Sequence, residues 1–145
     1  MTKNEILTFI DAQKIIMLGT IDLNDAPAIR ALINPRNPEI APHLVKYFKN
    51  NGRLIFITNT SSDKIAQLHR TPAAALYAYD ENFNGLMLSG TVTEVTDNET
   101  RNSLWDDSWK IYYPDGRDGG DFSVLEFIPK SYKFYAGFNV TKGEL

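Results

Sequence analysis

The 145-residue chain contains no cysteine, which excludes disulfides, thiolate metal sites and thiol redox chemistry together. Histidine is scarce: His43 and His69 have no second histidine or acid at ligand spacing and read as ordinary surface or helix positions, so no metal is expected. Lysine and arginine form no run, and the formal net charge is -3 with a pI near 5.3. The electrostatic footprint of a nucleic-acid binder is therefore missing. No stretch approaches the roughly 20 apolar residues of a membrane helix. The opening "MTKNEILTFIDAQ" carries acids within its apolar pattern instead of the core and cleavage site of a secretory signal. The expectation is a soluble, cytoplasmic protein with neither nucleic-acid nor membrane partners. G-x-S-x-G, G-x-x-x-x-G-K-[ST] and a strand followed by G-x-G-x-x-G are also absent, which removes the serine-hydrolase elbow, the P-loop and the dinucleotide fingerprint.

What is present is a chain that is 43% hydrophobic, enough for one cored domain over residues 1–145 and too little for two. Thr2-x-x-Glu5 has capping-box spacing, and the apolar positions that follow predict an amphipathic helix ending near Gln13. "KIIMLGTIDLNDAPAIRALIN" reads as a hairpin turning at Asn24-Asp25. Three prolines make "PRNPEIAP" a loop, followed by a short helix around Leu44–Phe48 that closes at Asn51-Gly52. "RLIFIT" is a buried strand, and a helix follows it as far as Arg70, before Thr71-Pro72. "AAALYAYD" and "LMLSGTVTEV" are further strands, with Gly90 marking a bulge or a close backbone approach. "DNETRNSLWDDSWKIYY" has caps and helical spacing, "PDGRDGGD" is a glycine-rich loop, and "FSVLEFI" and "YKFYAGF" read as two strands separated by Pro129-Lys130-Ser131. About seven strands and three or four short helices predict a mainly β fold: an antiparallel, closed or nearly closed barrel with helices outside.

Three features stand out chemically. In "FITNTSSDKIAQL" the hydroxyl and acid residues at the helix start suit capping, yet Lys64 in the first turn opposes the helix dipole. Thr58, Ser62 and Lys64 together surround one spot with hydroxyls, backbone N–H groups and a cation, which also suits a phosphate. Arg30 sits inside an otherwise apolar strand, turned either to solvent or a salt bridge, or holding an anion or polar ring edge with its planar fork. Trp105 and Trp109 lie four apart on the expected helix, a stripe that serves packing or walls a flat ligand.

Taken in order, "PAIRALI", "LIFITNTSSDKIAQL", "PAAALYAYD", "LMLSGTVTEV" and "LWDDSWKIYYPDGRDGGDFSVLEFIPKSYKFYAG" resemble the pyridoxamine-phosphate-oxidase-like FMN-binding split barrels, and within them the general stress protein branch. The resemblance runs from about Lys14 to Gly137. It implies a split barrel that forms a homodimer with FMN in clefts between the subunits. Arg30 matches the arginine that begins the family's first flavin-contacting strand. Ala31, Leu32 and Ile33 would run beside the flavin through their backbone. Thr58 and Lys64 match the phosphate site, Ser62 lies in the same turn, and Trp105 or Trp109 would close the cleft. Asp63 stands where the oxidases commonly carry a second cation. Pro35 stands where they use a substrate lysine, Gly85 falls near their glutamine, and their terminal Arg-Leu-His-Asp-Arg segment is not found before Leu145. The resemblance thus implies a flavin-dependent oxidoreductase on another small substrate, with its own electron donor, rather than a true pyridoxamine phosphate oxidase. A flavin-binding or sensor module without turnover, or the same barrel around a deazaflavin or haem, are the alternatives it leaves.

Overall fold

The computed structural model describes all 145 residues. Helix α1 (Lys3–Asp11) opens with the expected capping box: the Thr2 hydroxyl accepts from the Glu5 N–H while the Glu5 carboxylate accepts from the Thr2 N–H. Strands β1 (Ile15–Ile21) and β2 (Pro27–Ile33) form the hairpin. Its turn is held by the Asp22 carboxylate, which accepts from the N–H groups of Asn24 and Ala26. A 3-10 turn (Pro42–Leu44) and helix α2 (Val45–Lys49) lead to β3 (Leu54–Asn59) and helix α3 (Asp63–Arg70). Then come β4 (Ala73–Tyr79), β5 (Gly85–Glu94), α4 (Asn98–Leu104), a 3-10 turn (Asp107–Ile111), β6 (Phe122–Ala136) and β7 (Asn139–Glu144).

All seven strands are antiparallel, in the order β2-β1-β4-β5-β6-β3, with β7 paired to β6. No ladder joins β2 to β3, so the barrel is open along one seam. Helix α3 leaves the β3 edge and packs on β1, crossing that seam at one end.

β3 and β6 carry a core on each face, which is why "RLIFIT" is a continuous apolar run rather than an alternating one. Leu54, Phe56, Leu125 and Phe127 face the barrel interior with Leu18, Leu76 and Leu88. Ile55, Phe122 and Val124 face a second cluster under α2 and α4, with Leu44, Phe48 and Leu104. The loop after β2 is pinned by buried Arg36, whose guanidinium donates twice to the Asp11 carboxylate and also to the carbonyls of Asn51 and Arg53.

Two expectations are corrected. The tryptophan segment is not one helix: the chain is extended at Trp105 (ψ 138) and restarts as a 3-10 turn, capped by the Asp106 carboxylate on the Ser108 N–H. The last strands are not separated at Pro129 either. β6 runs through it for 15 residues, because Pro129 pairs with Gly90 where the β5–β6 register shifts and its missing N–H breaks no ladder. β7, absent from the expected strands, has mostly exposed side chains and hence no apolar alternation to reveal it.

Gly90 is fixed by that bulge. A Cβ there would lie 2.1 Å from the Ile128 carbonyl oxygen, a backbone atom that cannot swing aside. Gly90→Ala is expected to destabilise the fold by about 2–3 kcal/mol through overpacking, measured as a lower midpoint in urea unfolding.

Candidate functional site

The site is assembled where α3 spans the seam. Thr58, the buried penultimate residue of β3, and Ser62, the residue before α3, both turn their hydroxyls toward Lys64. The Lys64 Nζ donates to Thr58 Oγ1 at 2.7 Å and to Ser62 Oγ at 3.0 Å. Ser62 occupies the N-cap position, but its hydroxyl caps no helix N–H. The backbone N–H groups of Asp63 and Lys64 accordingly have no acceptor within the chain. A helix start with free donors and a cation beside it has the chemistry to hold an anion.

The rest of the serine-rich turn is held from β6. The Asp121 carboxylate accepts from the Ser61 N–H at 3.1 Å, the Ser61 hydroxyl at 3.0 Å and Asn59 Nδ2 at 2.5 Å, and the Asp121 carbonyl accepts from the Thr60 N–H. These donors, the Asn59 side chain foremost, hold the Asp121 carboxyl below the usual carboxylate range. The motif therefore divides: Asn59, Thr60 and Ser61 are spent on the scaffold, while Thr58, Ser62 and Lys64 face the seam.

Arg30 comes to the same place from β2. Its guanidinium donates to Thr20 Oγ1 at 2.7 Å, to Gln67 Oε1 at 2.9 Å and to the Leu18 carbonyl at 3.3 Å. Thr20 also donates to Gln67 Oε1 at 2.7 Å. All three acceptors are neutral, and no ion pair of the chain includes Arg30 or Lys64. Partial burial lowers the affinity of both groups for their protons, and for Lys64 the nearby Arg30 charge adds to the effect. Asp63 opposes these shifts from beyond ion-pair distance. The result is a pair of neighbouring cations with hydroxyl and amide partners and no carboxylate in ion-pair contact, Asp63 offsetting them only at longer range.

Of the remaining expected residues, Ala31 and Ile33 are exposed on the outer face of β2, and Leu32 packs on the barrel core. Ile33 and Trp109 share a separate apolar cleft of about 170 Å³ with Ile57. Trp105 is not in that cleft. Its ring meets Phe122 edge-on at 5.1 Å and its indole N–H donates to Asp107. Sequence reasoning missed Thr20, Gln67 and Asp121. Gln67 had a usable signal, since it lies three residues after Lys64 and so on the same side of α3. Thr20 continues the inward-facing series Ile16, Leu18.

Because the folded Lys64 amine titrates below its unfolded value, its charge is a penalty present at neutral pH and relieved as the pH rises through the folded value. Lys64→Gln is expected to stabilise the ligand-free protein by about 0.3–1 kcal/mol, the size of an unfavourable charge at a helix end. Thermal unfolding in phosphate-free buffer, with a higher midpoint for the variant, checks this.

Residues 2–136 match the pyridoxamine 5'-phosphate oxidase family. Among solved structures, a protein from Clostridium acetobutylicum related to general stress protein 26 of Bacillus subtilis (pyridoxinephosphate oxidase family) is 28% identical. It superposes with a TM-score of 0.77 over 99% of this chain and 94% of its own. General stress protein 26 from Bacillus anthracis is 17% identical, with a TM-score of 0.72 over 99% of this chain and 98% of its own. A heme binding protein from Mycobacterium smegmatis shares the fold at 14% identity and a TM-score of 0.70, over 98% of this chain and 57% of its own. A search of curated proteins finds no match. No helix is long and apolar enough to cross a membrane. With the seven-stranded barrel, its open seam and a match that spans all but the last few residues, the chain belongs to the pyridoxamine 5'-phosphate oxidase family.

Proposed function

We propose that the protein is a homodimeric, FMN-binding member of the general stress branch that acts as a flavin-dependent oxidoreductase on a small molecule. The observation that carries this reading is the neighbouring pair Arg30 and Lys64, neither of them in an ion pair, set beside two hydroxyls and two backbone N–H groups without a partner in the chain. Charge-assisted hydrogen bonds from such a set suit a phosphate monoester, and the conflict of Lys64 with the helix dipole reverses when an anion is seated there. Lys64, Ser62 and Thr58 would hold the phosphate. Arg30, positioned by Thr20 and Gln67, would orient the rest of the flavin along Ala31–Ile33. Bound flavin supplies the electron transfer; the protein's part is anchoring, orientation and exclusion of water.

The dimer is supported by β2. It is an edge strand with β1 on one side only, and its outer face presents Ile29 at 72% and Ile33 at 56% exposure. An unpaired edge with adjacent exposed apolar side chains invites a second chain.

FMN added to the purified protein is expected to bind with its visible bands shifted and its fluorescence quenched. Lys64→Gln should weaken that affinity about 10- to 100-fold, the loss of a hydrogen bond between charged groups. A colourless protein that leaves added FMN fluorescence unchanged contradicts the reading, and a haem-type band in the purified protein redirects it. Light scattering should give twice the 16.4 kDa chain mass. Ile29→Lys should shift the protein to monomer and weaken FMN binding with it.

A further inference from the structure

Next to the cation pair, and distinct from it, the cleft of about 170 Å³ lies among the end of β2, the end of β3 and the 3-10 turn that follows α4. Its walls include Ile33, Pro35, Ile57, Trp109 and Tyr113, and no lysine, arginine, aspartate or glutamate lines it. Trp109 is a fixed wall: His43 meets its ring edge-on at 5.0 Å, and Trp105 and Phe122 pack against it at 6.4 Å. The cleft is thus formed before any ligand arrives. The one polar residue besides the tyrosines is Asn59. Its Nδ2 is committed to Asp121, so its Oδ1 is the end left free, and that oxygen accepts no hydrogen bond from the chain.

Size and charge then narrow the ligand. An apolar cavity of roughly 150 Å³ holds one benzene ring, so the recess itself matches a single ring. With no cation in the lining, a carboxylate or phosphate entering it would be desolvated without compensation. The Asn59 oxygen has no donor within the chain and is not sealed from solvent, so a ligand hydroxyl there takes the place of water as its donor. Tyr113, whose hydroxyl is pushed up to about 12 by burial and by the Asp121 charge, stays neutral and adds no anion.

We propose that this cleft binds an uncharged single-ring aromatic molecule bearing a hydroxyl, with its ring against Trp109 and its hydroxyl donating to Asn59 Oδ1. It names the substrate class of the flavin site, and in that respect it rests on the function proposed above. The binding itself does not require flavin.

Phenol, toluene and benzoate are titrated into the Trp105→Phe protein, where Trp109 is the only indole, and into the Trp109→Phe protein, where Trp105 is. Excitation is set to the red of phenol absorption. The expected result is a saturable change in Trp109 emission with phenol, at least fivefold weaker binding of toluene, and no response to benzoate or from Trp105. Saturation-transfer NMR of phenol on the unsubstituted protein gives the same answer without relying on either variant's folding. No saturable phenol binding, benzoate binding as well as phenol, or an equal response from Trp105 overturns the assignment. FMN uptake is measured on the same preparations. Uptake of FMN without phenol binding overturns the cleft assignment alone. Phenol binding without FMN uptake overturns the flavin reading, and the cleft's status as a substrate site with it.

Discussion

The fold depends on one close approach, that of Gly90 to the Ile128 carbonyl. It lets β6 change register against β5 partway along its length. The first half of β6 can then pair with β3 and the second half with β7, while β5 follows it from Leu125 to Tyr135. A straight strand of the same length would serve one flat sheet; the bulge adds the bend and twist that roll a sheet toward a barrel. The position of β3, and so of the turn that follows it, is set from β6.

The candidate site inherits this arrangement. Asp121 immediately precedes β6, and Ser123 lies within it. Through them the turn between β3 and α3 is tied to the strand at both carboxylate and hydroxyl. With the turn fixed, Lys64 is delivered to the seam with Thr58 and Ser62 as its only side-chain partners. Arg30 reaches it from the opposite edge of the sheet, propped by Thr20 and Gln67. Two edges that share no backbone ladder thus meet through side chains of α3, and the polar meeting point lies beside the apolar cleft under Trp109.

Much of this was legible because its causes are local. The Thr2–Glu5 capping box, the Asn24-Asp25 turn and the strand "RLIFIT" follow from neighbouring residues and periodicity. So does the oddity of Arg30 in an apolar strand and of Lys64 at a helix start. What escaped depends on distance. Asp121 acts on residues about 60 positions away, and nothing in "PDGRDGGD" distinguishes that last acid from the others. Gln67 could be placed on the Lys64 side of α3 by spacing, but its pairing with Thr20 exists only once α3 has been laid across β1. Pro129 misled because a proline ordinarily ends pairing, and the tolerance here belongs to its partner Gly90. The tryptophan segment carries helical spacing, yet the extended backbone at Trp105 lets its ring meet Phe122, so tertiary packing wins over local periodicity.

On the proposed function, the two cations without an ion-pair partner would also shape how an anion arrives. The chain as a whole carries a net charge of -3, so a phosphate far from the surface is weakly repelled. Attraction by Arg30 and Lys64 takes over only within about one Debye length, roughly 8 Å at physiological ionic strength. Added salt then has opposed effects: it removes the long-range barrier to encounter and weakens the short-range hold. On the function proposed above, capture at the seam would be a short-range event, governed more by how often a ligand reaches it than by steering from afar.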